Sequence, residues 1–137
     1  MDPLPPPEEV VARLRAIALT LPETREEEAW RGTRWRVRQA TVAHVLTVLP
    51  DRPSAYAEAT GLPGPAVVMT FRSTGDELLA LSNAGLPFYK PDWSPTIVGL
   101  VLDDDTDWEE VAELVTDSYR CCAPQKLVRQ LDGQLRS

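Results

Sequence analysis

The stretch from Leu86 to Leu127 constrains the fold more than any other part of this chain. Thr96 to Leu102 is an apolar run of strand length. Asp103, Asp104 and Asp105 then make an acidic turn. Trp108, Val111, Leu114, Val115 and Tyr119 follow at spacings of three and four, which gives a helix one apolar side. Thr106 and Glu109 stand at capping-box spacing ahead of it. Pro124 opens a last short helix, with Leu127, Val128 and Leu131 facing inward and Gly133 closing it.

The upstream half supplies what this unit packs against. Residues 1–7 are proline-rich and predict a loose arm. Val10, Val11, Leu14, Ile17, Ala18 and Leu21 predict a helix that Pro22 stops. Glu23 to Glu28 reads as an acidic connector. Beyond Gly32, alternation puts Arg34, Arg36 and Arg38 on one face of a strand and Trp35 and Val37 on the other. A turn at Gln39 and Ala40 pairs it with Thr41 to Leu49, which is apolar on both faces and predicts a central strand. Residues 50–65 hold four prolines and two glycines and predict a long loop. Ala66 to Phe71 is the third strand. Thr74 and Glu77 form another capping-box pair, ahead of a helix from Asp76 to Asn83 that Gly85 can close. The order is helix, three strands, helix, strand, helix, helix. It predicts an α+β domain, an antiparallel sheet with helices on one face, occupying residues 1–137 as one unit.

The opening Trp30, Arg31, Gly32, Thr33 and the strand–acidic turn–helix order resemble the YjbR (MmcQ/YjbR) family. Here the turn is one residue looser than the family's pattern. The resemblance covers nearly the whole chain. It implies a fold similar to secretion chaperones and frataxins (CyaY-like), and a DNA-binding role without catalysis. In the family's proposed model, the aromatic–proline loop before the fourth strand is one of two wings touching a duplex. That implies contacts from Tyr89, Lys90 and Trp93.

The residues themselves offer two readings of Arg31, Arg34, Arg36 and Arg38, which interleave with Trp30 and Trp35. One is a strand that follows phosphates while aromatics stack on bases. The other, which ordinary charge runs favour, is a solvated face paired with Glu23 and Glu26 to Glu28. Arg120, Lys126 and Arg129 form a second basic group, whereas residues 91–119 carry nine acids and no basic residue. The expected nucleic-acid set is Arg31, Arg34, Arg36, Arg38, Lys90, Trp93 and Lys126. The alternative partner is a protein, as for a chaperone-like adaptor, with the chain a monomer or homodimer.

The net charge of −7 opposes polyanion binding over the whole surface. His44, the single histidine, lies in the most apolar strand and reads as a hydrogen-bonded core residue. Adjacent Cys121 and Cys122 suit neither a disulfide nor zinc, and the three aspartates lack EF-hand spacing. No cofactor, metal or catalytic residue is expected. Two thiols, no signal peptide and no membrane-length apolar run predict a cytoplasmic protein.

Overall fold

The computed structural model describes residues 5–29, 31–49, 65–91 and 93–135. Trp30, most of the arm and all but the last residue of the proline-rich loop lie outside the described residues. Six strands, β1 (Arg25–Glu28), β2 (Thr33–Val37), β3 (Ala40–Val48), β4 (Ala66–Arg72), β5 (Phe88–Tyr89) and β6 (Ile97–Leu102), form one antiparallel sheet. Their order across it is β1-β2-β3-β4-β6-β5. The helices are α1 (Glu8–Ala18), α2 (Gly75–Ser82), α3 (Trp108–Cys122) and α4 (Gln125–Leu135). This is the α+β architecture that the pattern of elements predicts.

Strand alternation sorts the apolar residues into two clusters. Trp35, Val37, Ala43, Val45, Met69, Phe71, Val98 and Leu100 point to the helices and meet Leu14, Val111, Val115, Tyr119, Leu127 and Leu131. On the outer face, Leu46, Val48, Ala66, Val68 and Tyr89 make a smaller core. Gly99 belongs to this outer face. A Cβ there would lie 2.1 Å from the Tyr89 ring, so only glycine lets the ring lie flat on β6. Gly32 is required for another reason. Its φ is +77°, and a Cβ would stand 1.9 Å from the Val45 carbonyl oxygen.

The ladder between β2 and β3 slips at Trp35 and Arg36, where the register partners jump from Ala43 to Thr41. Val42 is the extra residue, and both it and Ala43 turn into the helix-side core. The β3–β4 ladder starts at Ala43 opposite Phe71, leaving Val42 and Arg72 unpaired with each other in that ladder. The Ser118 hydroxyl of α3 fills the gap. It donates to the Val42 carbonyl at 2.6 Å and accepts from the Arg72 N–H at 2.9 Å. Ser118 is fully buried, so no water can replace it. One residue further, the Tyr119 hydroxyl donates to the Pro22 carbonyl at 2.8 Å, tying α3 to the turn after α1.

Several local expectations change. Glu23 to Glu28 is not a plain connector, because Arg25 to Glu28 pairs with β2 as the sheet's edge strand. Phe88 and Tyr89 likewise pair with β6 rather than lying wholly in a loop. Arg38 is outside β2, in a turn with φ 55°. Thr74 makes no side-chain cap; its hydroxyl lies 3.8 Å from the Cys121 sulfur. Asp107, not Thr106, caps α3, accepting from the Glu109 and Glu110 N–H groups. Thr106 instead accepts from the Asp103 N–H and shapes the acidic turn. Helix α4 runs through Gly133 to Leu135.

Ser118→Ala should lower unfolding free energy by about 1–3 kcal/mol, because it orphans two buried backbone groups. Urea denaturation checks this. A loss below about 0.5 kcal/mol would mean the bulge closes without the hydroxyl.

Candidate binding surfaces

Two charged surfaces lie at the two edges of the sheet. The first is the outer face of β1 and β2. Register places Arg25 opposite Arg36 and Glu27 opposite Arg34, so these four side chains share one face. Arg34 and Arg36 therefore do emerge on a single side, as the alternation predicts. Sequence reasoning missed Arg25, because it left the segment unassigned to the sheet.

These arginines are engaged. Glu27 lies 3.3 Å from Arg34, 3.4 Å from Arg36 and 3.8 Å from Arg25. Arg36 also donates to the Gln39 carbonyl at 2.6 Å and Arg25 to the Arg38 carbonyl at 2.7 Å. Arg38 pairs with Glu23 at 3.4 Å. Burial resists ionisation of Glu27, but Arg34, Arg36 and Arg25 together outweigh it and hold its carboxyl below the ordinary range. Of the two readings of the arginine run, the paired face matches these distances.

Of the two aromatics in the phosphate-and-base reading, Trp30 lies outside the described residues. Trp35 is fully buried on the helix side and cannot stack on a base. Its indole N–H donates to Glu26 at 2.9 Å, and Glu26 also accepts two hydrogen bonds from Arg15 of α1, at 2.8 and 3.0 Å. The Arg15 hydrogen bonds lead in lowering the Glu26 pKa, and the Trp35 indole adds to them against burial. Tyr89 is buried as well.

The remaining expected contacts are dispersed. Lys90 follows β5 at the opposite edge, about 24 Å from β1 at the usual strand spacing. Its ammonium donates to the Pro91 carbonyl at 2.8 Å and to the Ser94 carbonyl. Trp93, on the same loop, is 42% exposed. Lys126 is exposed on α4, in the helical layer opposite the arginine face. Arg31 is half-buried, and its carbonyl accepts from His44.

His44 is hydrogen-bonded as expected but is not in the helix-side core. It stands on the outer face between Arg34 and Thr70. Its Nε2–H donates to the Arg31 carbonyl at 2.5 Å. Burial lowers its pKa against the opposing hydrogen bond to the Arg31 carbonyl, and Arg34 adds to the lowering. Among the described residues, no group of three or more His, Cys, Asp or Glu is placed to hold a metal ion. No described helix is long and apolar enough to cross a membrane.

The second surface is a groove of about 560 Å³ beside β5, where β6 turns into α3. Leu86, Pro87, Leu100 and Val101 line it with apolar surface, and Asp103, Asp105, Asp107 and Glu110 supply its acids. Leu86 is 58% exposed. Asp107 and Glu110 sit at the positive end of α3, which favours acids there. Asp103 turns one carboxylate oxygen to the Asp105 N–H. Among the described residues, none of the four acids forms an ion pair. Arg13 of α1 lies over the Trp108 ring, 5.2 Å from its centroid. The sequence showed the excess of acids over residues 91–119, but not the apolar floor that Leu86 and Pro87 bring to it.

A family model described as YjbR matches residues 19–121, which is most of the chain. No curated protein and no solved structure matches.

Glu26 stabilises the fold only while ionised, and its folded pKa lies below the unfolded value. Its contribution is therefore complete above the ordinary carboxylate value of about 4.3 and lost as pH falls through the lowered one. Urea midpoints measured from neutral pH downward should fall more steeply for the natural chain than for Glu26→Gln. Parallel profiles would show that the Arg15 and Trp35 contacts to Glu26 do not persist in solution.

Proposed function

This chain belongs to the YjbR family, and from that premise we propose that it is a non-catalytic binding module whose partner is a protein rather than a nucleic acid. The observation that carries this is the unequal neutralisation of the two surfaces. The arginines that would follow a phosphate backbone are folded onto Glu27 and Glu23. Releasing them costs those pairs, and the indole beside them is sealed in the core. Among the described residues, the acids beside β5 form no ion pair, and they surround apolar surface of the kind protein interfaces use. An anionic groove repels nucleic acid and attracts basic protein segments.

The nucleic-acid reading keeps one observation in its favour. Glu27 alone faces Arg25, Arg34 and Arg36, so one carboxylate meets three guanidinium groups and the outer face retains surplus positive charge. Such a face would bind phosphates without reading bases.

Fluorescence anisotropy with labelled duplex and single-stranded DNA separates the two. The natural chain should show no saturable binding at moderate salt. Glu27→Gln, which removes the carboxylate that three guanidinium groups share, should raise low-salt affinity alone. Tight binding by the natural chain at moderate salt, lost in Arg34→Ala/Arg36→Ala, would establish the nucleic-acid reading instead.

A further inference from the structure

We infer that the groove beside β5 is a docking site for a cationic, apolar peptide segment of a partner protein, in which basic side chains alternate with leucine-like ones. This rests on the protein-partner reading above and names the place and the chemistry.

The groove combines two features that seldom share a site by chance. Its floor is apolar, and Leu86 projects there at 58% exposure although the helix-side core is close by. An exposed leucine beside three other apolar walls is surface that gains from being covered. Its rim is anionic, with carboxylates from both the turn after β6 and the first turn of α3. Helix capping explains Asp107, and the dipole of α3 suits Glu110. Neither accounts for Asp105, whose backbone N–H is held by Asp103 while its own carboxylate has no hydrogen bond or ion pair among the described residues.

Charge complementarity selects the occupant. A second copy of this chain has its densest basic face closed onto Glu27 and Glu23, and the exposed Lys126 and Arg129 of α4 flank a Leu127 that is buried, so that helix offers the charge without the apolar side chain. Nucleic acid and anionic membranes are repelled. A purely cationic peptide would leave Leu86, Pro87 and Val101 wet, and a purely apolar one would leave the acids unpaired. A segment carrying both kinds of side chain satisfies both. The groove's volume is that of sites that enclose small ligands or a few side chains, not of a flat contact. The site lies at the sheet edge, where an extended segment can run beside β5.

The test uses the full chain and short fluorescein-labelled peptides of equal length. In one, arginine alternates with leucine; in the second, arginine alternates with serine; in the third, glutamate alternates with leucine. Leu86→Asp and Glu110→Lys are the variants, because each alters the groove at a side chain that caps no helix and forms no ion pair among the described residues. The arginine–leucine peptide should bind saturably, the other two should not, and each variant should weaken binding roughly tenfold or more. Circular dichroism melts identical to the natural chain would show that the variants fold. Equal binding of the arginine–serine peptide would overturn the proposal by showing unselective charge attraction. Binding of the arginine–leucine peptide that both variants leave unchanged would overturn the assignment to this groove while the protein-partner reading stands. If no peptide binds but duplex DNA does, that reading falls as well.

Discussion

The charge pattern of this protein turns on a single carboxylate. Glu27, on an edge strand, lies within 4 Å of three arginines contributed by β1 and β2. Three guanidinium groups crowded on one face would repel one another in the absence of an anion. Glu27 supplies it from within the chain, which lets β1 lie against β2 and completes the sheet. The same contact removes the arginines from the surface offered to a partner. On the other face of the same strand, Glu26 joins the buried Trp35 indole to Arg15. One short acidic strand thus offsets part of the positive charge on the outer face and anchors α1 to the core.

At the opposite edge the balance is reversed. The turn after β6 gathers aspartates that hydrogen-bond to backbone N–H groups, and no cation among the described residues meets them. The turn is held by those backbone contacts and not by ion pairs, so its carboxylates remain available. Between the two edges, α3 fastens the sheet. Ser118 restores the ladder where Val42 breaks it, and Tyr119 reaches back to Pro22. The two charged surfaces thereby lie at opposite edges of one sheet.

Much of this order is written in the local sequence. The apolar runs of β3, β4 and β6 and the spacing of Val111, Leu114, Val115 and Tyr119 identify their elements directly, because burial against a neighbour imposes those periods. Alternation also put Arg34 and Arg36 on one face. What escaped is whatever depends on a distant partner. Arg25 to Glu28 has no apolar residue, and it is a strand only because β2 pairs with it. Thr106 and Asp107 are both competent caps, and tertiary geometry chose the aspartate. The neutralising role of Glu27 and the groove beside Leu86 arise from cross-strand and strand–helix neighbours that no sequence spacing encodes. The family assignment, by contrast, was available from the order of elements and is borne out over residues 19–121.

The most direct measurement is the titration of the Glu27 carboxyl by carbon-detected NMR in the full chain. A carboxylate shared by Arg34, Arg36 and Arg25 should titrate below the ordinary glutamate value, and its midpoint should rise toward that value in Arg34→Ala/Arg36→Ala. A Glu27 that titrates at or above the ordinary value in the natural chain would mean the arginines are not engaged, and the assignment of a neutralised edge opposite an open acidic groove would be contradicted.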